Sequence, residues 1–244
     1  MAEITVLNPI IDAHLAAAST GPYLKQAAPD THIRFLSLEW GTASIEGRAD
    51  DALAASGVMR CAVAAEADAA DAVIINCMND PGLSAARESV RIPVICPAEA
   101  SLHVAAMLCH KFSWITTGSA DIPVVEELVR RNRMSAKVAS IRAIDIPVLG
   151  LETDRQATLE AFVRVAEEVI GKDGAAGIIP GCTAVTNLVP EISERLAGQG
   201  LQVPILNPPL IALRMAEAQV ALGLSHSCRT YARPGDKQII WPDV

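Results

Sequence analysis

Aromatic side chains are scarce, at 3% of the 244 residues. So few stacking surfaces argue against a binder of single-stranded nucleic acid. An excess of positive charge is also missing. The formal charge is −8, and an acidic surface repels phosphate backbones. No apolar run reaches the roughly 18 residues of a membrane span. The start, Met1 to Leu7, has neither a basic n-region nor an apolar h-region with a cleavage site, so no leader is expected. The six cysteines include no C-x-x-C pair and no zinc or disulfide spacing. Reduced cytoplasmic thiols are the plain expectation for most of them. Gly118 stands alone, without a G-x-G-x-x-G or Walker pattern, and no G-x-S-x-G elbow occurs. These absences exclude nucleic acid and membrane as partners. They leave a globular chain, 51% apolar and 20% charged, large enough to bury a substantial core.

What is present is a rhythm. Short apolar runs at Ile4–Leu7, Ala72–Ile75, Val94–Cys96, Phe112–Thr116, Ala176–Ile179 and Pro204–Leu206 end in turn or polar residues. Between them lie stretches of helical spacing, such as Leu159, Phe162, Val163, Ala166, Val169 and Ile170. Alternating strand and helix signals predict an α/β protein with mostly parallel strands.

The rhythm also repeats. Ile92 to His103 recurs as Val203 to Arg214, at an offset of 111 residues. Each copy is an apolar strand, a proline break and a helix. Ile74-Ile75-Asn76-Cys77 corresponds to Ile179-Pro180-Gly181-Cys182, and Ile4–Pro9 corresponds more loosely to Trp114–Gly118. Such a period is too long for a solenoid and predicts two pseudo-symmetric lobes. One lobe is expected over 1–97 together with 207–244, the other over 98–206, with the active site in the cleft between them. The tail after Gly223, with Arg229, Arg233 and Lys237, reads as a solvated peripheral segment.

Ligands of open parallel sheets bind beyond the carboxyl ends of the strands. Cys77 and Cys182 stand at two such ends, each before a helix start. Asp80 and Pro81 read as the N-cap and first position of the helix after Cys77. A lone cysteine at a strand end is more often inert core. Two at matching positions of two halves suit a proton transfer, one group removing a proton from a carbon and the other returning one to the opposite face. A thiol serves both roles because its ordinary pKa, about 8.5, is tunable toward neutrality. His14 and His103 lack a carboxylate-rich ligand spacing, so no metal site is expected. Glu46, in a loop before a helical stretch, is balanced between covering the cleft and capping a helix.

These residues resemble the aspartate/glutamate/hydantoin racemases, and within them the hydantoin racemase branch. The resemblance spans most of the chain. It rests on Asn8-Pro9, Gly41 to Gly47, Asn76-Cys77 with Asp80-Pro81-Gly82-Leu83, Pro97 to Ala100, Thr116-Thr117 and Gly181-Cys182-Thr183. It implies a cofactor-independent racemase or epimerase with Cys77 and Cys182 as paired acid and base. Asn8, Thr116, Thr117 and Thr183 would contact substrate, and Asn79 and Glu46 join that set. The implied substrate is a 5-substituted hydantoin or a related small amide or amino acid. The family's first strand commonly ends N-P-N-[ST], whereas Asn8-Pro9-Ile10-Ile11 stands here and implies a less polar substrate on that side. A decarboxylase of substituted malonates or a cis–trans isomerase of unsaturated diacids are alternatives on the same scaffold. A non-catalytic module that binds a small metabolite is the alternative of another class. A cytoplasmic homo-oligomer is the expected form.

Overall fold

The computed structural model describes residues 1–235, 237 and 238. Two parallel sheets carry the fold. The first contains β1 (Ala2–Asn8), β2 (Thr31–Ser37), β3 (Ala72–Ile75) and β4 (Val94–Ile95), in the order β2-β1-β3-β4. The second contains β5 (Phe112–Thr116), β6 (Val138–Ala143) and β7 (Ile178–Pro180), in the order β6-β5-β7. A parallel bridge from Ile178 to Ile205 adds a vestigial fourth position. Both sheets thus run second, first, third, fourth in chain order. The repeat seen in the sequence is a repeat of topology.

Helices cover both faces. The first half supplies α1 (Ala13–Ala18), α2 (Gly21–Gln26), α3 (Arg48–Ala67) and α4 (Leu83–Ser89). The crossing helix α5 (Pro97–Leu108) follows β4, and α6 (Ile122–Arg131), α7 (Arg155–Gly171) and α8 (Val189–Gly198) follow in the second half. The last helix, α9 (Pro208–Ala221), follows the Ile205 bridge as α5 follows β4.

A strand buried on both faces must be apolar on both. All four residues of β3 are buried. Val73 and Ile75 join the core under α3 and α4, while Ala72 and Ile74 join Tyr23, Ala212, Leu213 and Ala216 on the other face. In the second half, Phe112 and Trp114 pack with Leu102 and Ala105 of α5, and Ile115 and Ile178 pack with α7 and α8. Hence α5 packs on the second sheet and α9 on the first, and the two helices lie against each other.

Several local expectations are corrected. The strands β2 and β6 are edge strands of half-buried, polar-rich sequence, so they lacked the apolar signature. The Pro204–Leu206 run is a single bridge rather than a strand. Asp80 does not cap the helix after Cys77. It adopts a left-handed φ of 52°, Gly82 takes the N-cap position, and α4 begins at Leu83. A Cβ on Gly82 would meet the Ala55 carbonyl oxygen at 2.9 Å, so this turn runs hard against α3. The carboxylate of Asp80 instead accepts the Glu99 N–H at 3.1 Å, in the first turn of α5. The exposed tail is anchored as well as peripheral. His226 Nε2 accepts the Val94 N–H at 2.8 Å, the Ser225 hydroxyl donates to the Arg91 carbonyl, and Arg233 reaches Glu66.

Candidate active site

The carboxyl ends of β1, β3 and β7 and the turn after β5 converge on one cavity that is partly open to solvent. Asn8 comes from the end of β1. Asn76, Cys77 and Asn79 follow β3, Thr117 follows β5, and Gly181, Cys182 and Thr183 follow β7. Both cysteines therefore line the same space from corresponding positions of the two halves. Pro9, Ile10, Leu15, Ile45, Val148 and Ala184 form its apolar wall.

The sites named from the sequence separate here. Asn8, Asn79, Thr117 and Thr183 line the cavity. Thr116 is buried in β5 and does not. Glu46 lies behind the wall rather than in it. It accepts from the Ser44 hydroxyl at 2.6 Å and from the Val148 N–H at 3.2 Å, tying the loop before α3 to the second half of the chain. Ile10 faces the cavity, but Ile11 is 45% exposed. Only one of the two isoleucines makes the site less polar. His14 is exposed, 3.9 Å from Glu152.

Residues 15–216 match the family described as Asp/Glu/Hydantoin racemase. A hydantoin racemase of Rhizobium meliloti is 34% identical over 95% of both chains. The chain belongs to the Asp/Glu/Hydantoin racemase family. Membership places it among the isomerases, as a racemase. A solved allantoin racemase from Klebsiella pneumoniae is similar throughout, with 32% identity, a TM-score of 0.93, and coverage of 99% of this chain and 97% of that one. A solved arylmalonate decarboxylase shares the fold at 18% identity and a TM-score of 0.67, over 92% of this chain and 94% of that one.

In this racemase-family chain, a buried network that sequence reasoning missed holds the first lining residues. Asn76 Nδ2 donates to Asn8 Oδ1 at 2.8 Å and to Ser19 Oγ at 2.9 Å, while Asn76 Oδ1 accepts from the Tyr23 hydroxyl at 2.8 Å. Burial keeps Tyr23 protonated, with its pKa well above the ordinary value. The Asn8 oxygen is thereby engaged within the protein. Nothing in the local sequence marks Ser19 or Tyr23; Asn76, as the polar residue closing an apolar strand beside Cys77, was the one available signal.

Burial also dominates the thiols. It pushes Cys77 well above the ordinary thiol range and Cys182 up to about 11. The nearby carboxylates Asp51 and Asp80 add to the shift at Cys77, and Glu46 and Asp121 to that at Cys182. Backbone N–H groups oppose it, at Asn79 for Cys77 and at Ala184 and Val185 for Cys182. The expectation that strand-end placement before a helix eases thiolate formation is thus outweighed by desolvation.

Asp80 carries a separate test. Burial, aided by Glu99, raises its carboxyl to about 7, against the pull of Arg131. A carboxyl raised above its unfolded value, near 3.9, binds more protons folded than unfolded. Its contribution is therefore fully present below about pH 4 and is lost as pH rises through about 7. Asp80→Asn keeps an oxygen for the Glu99 N–H, and Asn tolerates the left-handed conformation. This variant is expected to lose on the order of 2–4 kcal/mol less stability than the parent between pH 4 and 8. Denaturant unfolding at a series of pH values measures the difference; parallel pH profiles would contradict it.

Proposed function

We propose that the protein racemises 5-substituted hydantoins or closely related cyclic amides by a cofactor-independent, two-thiol proton transfer. The observation that carries this is the placement of Cys77 and Cys182 on one cavity, at matching ends of β3 and β7, with no Lys, Arg or His among the described lining residues. A free amino acid or a diacid would bring a carboxylate into a wall whose one ionisable oxygen acid is Asp121. A neutral ring imposes no such charge.

One cysteine, as thiolate, takes the proton from the carbon next to the ring carbonyl. The C–H electron pair moves into an enolate, and its charge rests on the carbonyl oxygen. Thr183 and neighbouring backbone N–H groups stabilise that oxygen. The other cysteine, as thiol, delivers its proton to the opposite face. The enzyme ends with its thiol and thiolate exchanged, and no proton is gained or lost overall. Asn8, Asn79 and Thr117 hold the ring, with Thr116 fixing the backbone before Thr117. Glu46 acts from behind the wall by holding the Ile45 loop against Val148. Ile10, Ile45 and Val148 leave room suited to an apolar substituent.

The two named relatives, a hydantoin racemase and an allantoin racemase, support the cyclic-amide class. The test is a panel of single enantiomers: 5-alkyl and 5-aryl hydantoins, allantoin, free amino acids and a prochiral aryl malonate, followed by chiral chromatography. The hydantoins are expected to lose optical purity, while the amino acids keep theirs and the malonate is not decarboxylated. Turnover of the amino acids or the malonate with inert hydantoins would overturn the proposal.

A further inference from the structure

Asp121 stands in a position where an aspartate usually serves its own helix. It is the N-cap of α6, yet its side chain accepts no N–H from the first turn. Instead Oδ2 accepts from the Thr117 hydroxyl at 3.3 Å. Oδ1 has no hydrogen-bond partner among the described residues, although Asp121 is only 7% exposed. Leaving a buried acceptor unpaired costs about 1–3 kcal/mol, and more for a charged group. Both Asp121 and Thr117 line the cavity shared by the two cysteines. No cationic side chain is among the described lining residues, which leaves a molecule in the cavity able to supply the missing donor.

We propose that Asp121 is the substrate-binding acceptor for a ring N–H, with Thr117 turning its carboxylate so that Oδ1 is left for the ligand. This assignment rests on the cyclic-amide reading and sharpens it. It makes an unsubstituted ring nitrogen a requirement. It also explains why the single acid in the lining is tolerated: a carboxylate substrate is repelled at the point where an amide is held.

The test uses a turned-over 5-substituted hydantoin and its two N-methyl derivatives, methylated at each ring nitrogen in turn. For the wild-type enzyme, methylation at one nitrogen is expected to lower kcat/KM roughly 10- to 100-fold, the range for one hydrogen bond to a charged group. Asp121→Asn keeps the size of the side chain but removes its charge and one acceptor oxygen. It is expected to lose about as much on the parent compound, and the methyl penalty should shrink to roughly 3-fold or less. A purely steric penalty would persist in Asp121→Asn and would overturn the assignment. Wild-type indifference to both methyl groups, as expected if a trapped water pairs with Oδ1, would overturn it without any variant. If the wild type turns over no hydantoin at all, the cyclic-amide reading falls and takes this assignment with it; a failure of the assignment alone leaves wild-type hydantoin turnover intact.

Discussion

Replacing either Cys77 or Cys182 with serine is expected to lower racemisation in both directions by roughly 10²- to 10⁴-fold, the usual contribution of a positioned acid or base. A serine hydroxyl is close in shape to the thiol but far too weak an acid to cycle through its anion near neutral pH. Both cysteines are half-buried at a cavity wall, so the exchange leaves little void, and the melting temperature should stay within a few degrees of the parent. The loss is expected in both directions because each turnover of the proposed mechanism uses both groups, one taking a proton and one giving it. Chiral chromatography from each enantiomer, with a thermal melt on the same samples, measures it. The high thiol pKa values predict that kcat/KM rises with pH above neutrality, since burial holds both groups protonated. A serine variant that keeps most of its turnover would remove that cysteine from the mechanism.

Gly181→Ala is expected to be the most damaging small substitution near the site. A Cβ there would lie 2.4 Å from Trp114 Nε1, 2.8 Å from the Ile115 carbonyl oxygen and 2.9 Å from Thr116 Cα. Two of those contacts are backbone of β5 and cannot swing aside. Gly181 also donates its N–H to that same Ile115 carbonyl at 2.7 Å, so the methyl group pushes apart the pairing that places Cys182. The expected cost is about 3–5 kcal/mol, or a melting temperature roughly 10 °C lower. Turnover should fall about 100-fold even where the chain still folds, because a misplacement near 1 Å is enough. Gly118→Ala is the control: its Cβ would meet nothing closer than Asp121 Oδ2 at 3.8 Å. Equal melting temperature and turnover for Gly181→Ala and the parent would contradict the packing described.

The contrast between those glycines shows which features a sequence carries. Strands buried on both faces, such as β3, must be apolar throughout, so they stand out from their surroundings. Edge strands are under no such demand. The run Thr31–Ser37 mixes half-buried and exposed residues, so it carries no apolar signature. The paired cysteines were legible because a duplicated topology leaves a duplicated spacing. Their protonation was not, because it depends on burial and on carboxylates far off in the chain, such as Asp51 and Asp121. Asp80 reads as a helix cap from its neighbours, yet it caps a different helix, 19 residues on. Thr116 and Thr117 look alike in sequence, and only the second reaches the cavity. Ile10 and Ile11 part in the same way, the first lining the cavity and the second exposed.

In the proposed mechanism the two thiols address opposite faces of one carbon. Deuterium uptake at that carbon, followed by NMR in D₂O from each pure enantiomer of a 5-substituted hydantoin, tests it most directly. The wild type should exchange both enantiomers. Cys77→Ser should exchange only the enantiomer whose proton faces Cys182, and Cys182→Ser only the other, each without inversion. One variant exchanging both enantiomers, or both variants exchanging the same one, would contradict the account.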